Sequence, residues 1–114
     1  MPIPADVRAS AEDSLDQFCR QHSSSADSDV QRYTYAFETN AVTLIEQRPA
    51  FMNANDLTLK AIARFRYSEA RNNWSLYWRD AAAKWHRVSN VSAEKDIKGL
   101  LQIVVSDPLG VFWS

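Results

Sequence analysis

Between residues 5 and 22 the apolar side chains return every three or four positions. Val7, Ala11, Leu15, Phe18 and Cys19 fall on one helical face. Pro4 stands just ahead of that stretch, where a proline is tolerated. Acidic residues crowd its first half, where the helix dipole favours them. The pattern predicts a helix over 5–22. Residues 23–29 are polar apart from Ala26 and read as a linker. From Val30 the period changes to two. Tyr33, Tyr35 and Phe37 alternate with Arg32, Thr34 and Ala36, which predicts a half-buried strand over 32–38. Thr39-Asn40 supplies a turn, because Asn tolerates left-handed backbone. A second strand runs over 41–48 and Pro49 ends it. Residues 50–58, with Asn53, Asn55 and Asp56, read as a loop. Further strands are predicted over 59–68, 74–80 and 84–89. The helical period returns over 93–106, where Ile97, Leu100, Leu101, Val104 and Val105 share a face and Ser92 is the candidate N-cap. Asp107-Pro108 stops that helix. The rest of the segment 107–114 is mostly apolar and is expected to fold back as a tail.

The order is helix, five strands, helix, within a single domain spanning 1–114. This predicts an α+β fold: an antiparallel five-stranded β-meander over 30–90, flanked by an N-terminal and a C-terminal helix packed on one face. A two-residue turn at Asn72-Asn73 would pair Arg71 with Trp74, Tyr67 with Trp78 and Phe65 with Asp80. One face then carries Ala63, Phe65, Tyr67, Trp74, Leu76 and Trp78 and forms the core. The other carries Arg64, Arg66, Ser75, Tyr77 and Arg79. The fifth strand stays unphased, since the length of the turn over 81–83 is open. Either Arg87, or Lys84 with His86, joins the basic face.

Composition narrows the chemistry. The chain has 114 residues, one cysteine and two glycines, both near the C-terminus. That excludes an intrachain disulfide, a zinc site built on several thiolates, and glycine-rich phosphate loops. The net charge of −1 conceals a division. Residues 1–29 carry two basic and six acidic side chains, whereas residues 30–90 carry nine basic and five acidic ones. No apolar segment is long enough to span a bilayer, so no membrane partner is expected. The N-terminus has no secretory pattern, which together with a free cysteine predicts a cytoplasmic location.

Several motifs follow one another along the chain. They are Arg48-Pro49, Ala63-Arg64-Phe65-Arg66-Tyr67, Trp74-Ser75-Leu76-Tyr77-Trp78-Arg79-Asp80, Trp85-His86-Arg87, Asp107-Pro108 and Phe112-Trp113. Over about residues 30–114 this series resembles an uncharacterised bacterial family, domain of unknown function family 3024. Val88 and Ser114 depart from its pattern, which has an aromatic residue and a glycine there. The resemblance implies a small bacterial protein and supplies no activity, substrate or catalytic residue.

The residues themselves point to the basic sheet face. Arginine matches phosphate geometry with two donors and stacks on flat rings. Arg64, Arg66, Tyr77, Arg79, His86 and Arg87 are therefore the candidate anion-binding face, for a nucleic acid or another anionic ligand. The plainer alternative is a solvated face whose arginines pair with Glu38, Glu46, Glu69, Asp80 or the acidic first helix. The strand order of the RNA-recognition fold is absent, and the terminal helix lacks the basic cluster of a double-stranded RNA module. An enzyme would have to use Cys19 with His22 and Asp16, or His86 with Asp80. The plainer readings are a small core cysteine and a strand histidine bonded to a neighbour. No catalytic residue, cofactor or metal site is assigned. The rival reading is a structural or protein-interaction subunit. It would act through an open strand edge, which permits a homodimer, or through Trp113 in the aromatic tail.

Overall fold

The computed structural model describes residues 3–22, 32–50, 53–88, 91–107, 110 and 112. Seven elements follow in order: α1 Ala5–His22, β1 Arg32–Phe37, β2 Ala41–Ala50, β3 Asn53–Ser68, β4 Asn73–Arg79, β5 Trp85–Arg87 and α2 Ile97–Ser106. The strands form one antiparallel sheet in the order β1-β2-β3-β4-β5. This is the expected α+β meander between two helices. The linker expected over 23–29 and the tail residue Trp113 lie outside the described residues.

The helix α1 has the predicted bounds because one long face can be buried. Ala11, Leu15 and Phe18 are buried, with Val7 and Cys19 packed beside them. On the same side of the sheet, Val42, Leu44, Ala63, Phe65, Tyr67, Trp74 and Leu76 join Ile97, Leu100, Leu101 and Val104 of α2 in one core. Both helices therefore cover the same sheet face. The interior is led by Trp74 and Phe65, and large aromatics contribute most of the burial in so small a core. Val105, expected on the buried face of α2, is instead 42 % exposed. It lies at the margin of the apolar arc. Among the described residues no helix is long and apolar enough to cross a membrane.

Four local expectations are corrected. The first concerns the loop expected over 50–58, whose described residues are strand. β2 continues through Pro49 to Ala50, and β3 begins at Asn53. Pro49 stands opposite Leu57, beyond the last β1 pair at Arg32–Gln47. A proline is tolerated there because, among the described residues, no neighbour on the β1 side needs its missing donor.

The second concerns the turn between β3 and β4. It spans four residues, 69–72, rather than the pair Asn72-Asn73. Only Asn72 of the two is left-handed, with φ 53°. Ser68 Oγ accepts the Arg71 amide at 3.3 Å, which helps close the wider turn. Tyr67 consequently faces Trp74, and Trp78 faces Ala63. The register moves by four positions. An even shift leaves every side chain on its predicted face.

The third concerns α2, which starts at Ile97 with Asp96 as its N-cap, not near Ser92. Asp96 Oδ1 accepts the Lys98 amide at 2.9 Å. The preceding segment is held extended because Trp74 and Glu94 exchange backbone hydrogen bonds of 2.7 and 2.9 Å. Residues so engaged cannot also form a helical turn. The end of α2 is as expected: Asp107 is left-handed, and its amide donates to Ile103 O at 2.8 Å.

The fourth concerns β5, where His86 pairs with Trp78.

Candidate functional site

The sheet face away from the helices is set by strand alternation. Across the middle of it Thr43, Arg64, Tyr77 and Arg87 stand in register on four neighbouring strands. The next row holds Ala41, Arg66 and Ser75, and Arg79 pairs with Trp85 on the far side. Arg64, Arg66, Tyr77, Arg79 and Arg87 thus share one face, as the alternation predicts.

His86 does not join them. It pairs with Trp78, so it belongs to the core-side face. The phase follows from the turn over 80–84. Asp80 accepts the amides of Ala82 and Lys84 through Oδ1, both at 2.9 Å. That carboxylate holds Ala83 in a left-handed conformation, φ 65°. Its other oxygen, Oδ2, lies 2.6 Å from His86 Nε2. The imidazole stacks on Trp78 at 4.9 Å between ring centres. The hydrogen bond to His86, then the Lys84 amide, holds the Asp80 carboxyl below the usual carboxylate range. This is a turn-fixing pair beside Trp78.

The arginines differ in their partners. Arg64 is ion-paired with Glu38, and its guanidinium lies 5.7 Å from the centre of the Trp85 ring. Its Nε is buried and has no hydrogen-bond partner among the described residues. Arg66 lies 5.7 Å from the centre of the Tyr77 ring. Among the described residues Arg66, Arg79 and Arg87 have no acidic partner within 4.0 Å. The acidic helix cannot neutralise them, because α1 packs on the opposite face. Two of its acids are engaged elsewhere: Glu12 with Arg8 Nε at 3.0 Å, and Asp16, which accepts from Tyr35 Oη at 2.5 Å.

Two shallow clefts border this face, and neither was visible in the sequence. One, of about 440 Å³, lies at the turn end between Asn40, Arg66, Glu69 and Tyr77. The other, of about 390 Å³, lies where β3 and β4 diverge, between Lys60, Ile62, Arg79, Asp80 and Phe112. Both depend on turn geometry and strand divergence, which alternation does not encode. Trp85 was also left unassigned by the sequence. The three-residue pairing of β5 places it on the arginine face.

The alternative chemistry fares differently. Burial, and then the Asp16 charge, push the Cys19 thiol up to about 11. That is opposite to what a thiolate nucleophile needs. Among the described residues no group of three His, Cys, Asp or Glu side chains could hold a metal ion.

Fold and face together define a small α+β protein: a five-stranded meander with helices on one side and an arginine–aromatic surface on the other. Residues 3–114 match the family model described as Domain of unknown function (DUF3024), and the chain belongs to that family. The match takes in α1, beyond the stretch that carried the resemblance in the sequence. No curated protein and no solved structure matches the chain.

Proposed function

We propose that this protein is a non-enzymatic binding module whose open sheet face takes an anionic ligand, with single-stranded nucleic acid as the form that fits best. One observation carries the reading. Arg66, Arg79 and Arg87 are exposed on one sheet face with no acidic partner among the described residues, while the acidic helix is on the other side. Unpaired guanidinium groups supply planar donors for phosphate oxygens. Tyr77 and Trp85 stand between them and offer rings on which bases stack, worth about 1–3 kcal/mol per base. Both rings are half-buried, so part of each stays accessible beside the arginine that lies over it. The free thiol of Cys19 fits a reducing, cytoplasmic setting.

The test is fluorescence anisotropy with a labelled single-stranded oligonucleotide at low salt. Arg66→Glu/Arg79→Glu/Arg87→Glu should abolish binding while far-UV circular dichroism stays unchanged, since none of the three is buried. Equal affinity in the triple variant would refute the reading.

A further inference from the structure

The cleft of about 440 Å³ at the turn end of the arginine face holds groups of both signs. Asn40, Arg66, Glu69, Ser75 and Tyr77 line it. It is hollow where Ser75, a small residue, stands opposite Arg66. Tyr77 lies on one side of that rung and Ser68 on the other, each about 7 Å along its strand. Glu69 follows Ser68 into the turn. Among the described residues the side chains of Asn40, Arg66, Glu69 and Ser75 have no hydrogen-bond or ion-pair partner. The Arg66 guanidinium lies 5.7 Å from the centre of the Tyr77 ring.

Glu69 runs against the chemistry of the face around it. A guanidinium attracts phosphate, whereas a carboxylate repels it and accepts hydrogen bonds only. An unpaired acid in such a cleft adds selectivity, because it admits a ligand that brings N–H donors and penalises one that brings lone pairs. The bases differ in this respect. Guanine carries two adjacent donors, N1–H and N2–H, which can meet both oxygens of one carboxylate. Adenine and cytosine set a ring acceptor beside their amino group. Thymine and uracil flank their single N–H with carbonyls. Each of these four turns a lone pair toward Glu69.

Resting on the single-strand reading above, we propose that this cleft selects a guanine base of the bound strand. Glu69 accepts N1–H and N2–H, and the Asn40 amide donates to O6. The Tyr77 ring takes a face of the base, and Arg66 takes the adjoining phosphate. Arg79 and Arg87 lie farther along the same face and hold the phosphates beyond. The base is therefore read within a strand rather than as a free nucleotide.

The test uses fluorescence anisotropy on the full chain. Labelled oligothymidine strands differ at one central base, which is guanine, adenine, cytosine or hypoxanthine. The guanine strand should bind about tenfold tighter than the adenine or cytosine strand. Hypoxanthine keeps N1–H and lacks the N2 amino group, so it should fall between them. Glu69→Gln should remove the preference for guanine. It should leave plain oligothymidine bound at least as tightly, since a negative charge is lost and the arginines remain. Ser75→Phe fills the cleft and should remove the preference too. Unlabelled guanosine monophosphate should compete far more weakly than the unlabelled guanine strand. Equal affinity for the four strands overturns the inference and leaves the single-strand reading intact. So does a guanine preference that survives in Glu69→Gln. Competition by guanosine monophosphate as strong as that by the guanine strand also overturns it and assigns the cleft to a free nucleotide. Absence of binding by every strand overturns both readings.

Discussion

Arg64 decides whether the arginine face serves the fold or a ligand, and Arg64→Met separates the two. The substitution keeps the aliphatic stem and removes the charge. Three effects follow. The ion pair with Glu38 is lost, but Glu38 is 54 % exposed, so screening limits that loss to about 0.2–1 kcal/mol. The contact with the Trp85 ring contributes about 0.5–1 kcal/mol. Against these, a buried guanidinium nitrogen without a partner is removed, which returns about 1–3 kcal/mol. The opposing terms nearly cancel, and the net change is expected within about 1 kcal/mol of zero. Urea unfolding followed by tryptophan fluorescence should place the midpoint within about 1 M of wild type. A loss above about 2 kcal/mol would refute the reasoning. It would mean that Glu38 and Trp85 hold Arg64 as part of the folding machinery.

Other predictions test neighbouring claims. Asp96→Ala should destabilise by about 1 kcal/mol in the same assay, while Ser92→Ala should be near neutral; the reverse order would return the helix start to the earlier position. The Asp80 carboxyl is held below its usual value of 3.8, so its charged form stabilises the fold at higher pH and that contribution is lost as pH falls through the lowered value. Asp80→Asn should be less stable at neutral pH and show a flatter acid limb; an unchanged acid limb would count against the pair. With its thiol at about 11 against an ordinary 9.0, Cys19 should react about 100-fold more slowly than a free thiol with an aromatic disulfide reagent at pH 8. A rate equal to that of a free thiol would reopen the nucleophile reading.

How far the sequence could be read varied with the physics of each element. α1 was legible to the residue because eighteen residues present one apolar stripe to one core. The two faces of β3 and β4 were legible although their register was not. The wider turn at 69–72 moved the pairing by an even number, and the period of two absorbs such a shift. The start of β3 was illegible because Asn53, Asn55 and Asp56 carry turn chemistry, yet Asn53 pairs with Ala50 and the β2–β3 register shifts between Pro49 and Ala50 to take in the residues before Leu57. The start of α2 was misread because two acceptable caps lie four residues apart. The choice depended on Trp74, eighteen positions upstream of Ser92, claiming the backbone of Glu94. His86 was misplaced for a similar reason. Its face depends on a turn built by the Asp80 side chain around a left-handed alanine, which no local signal announces. Of the six candidate residues, Arg64, Arg66, Tyr77 and Arg79 had their phase from the alternation itself, whereas His86 and Arg87 took theirs from the β4–β5 pairing.

The central claim is that Arg66, Arg79 and Arg87 are free to meet phosphate. Its most direct measurement is the salt dependence of single-stranded oligonucleotide binding. Three phosphate contacts predict a log–log slope of about −2, an affinity loss of about 20-fold between 50 and 200 mM salt. In Arg66→Glu/Arg79→Glu/Arg87→Glu no such binding should remain. Affinity below detection at the lowest salt, or a slope near zero, would contradict the account.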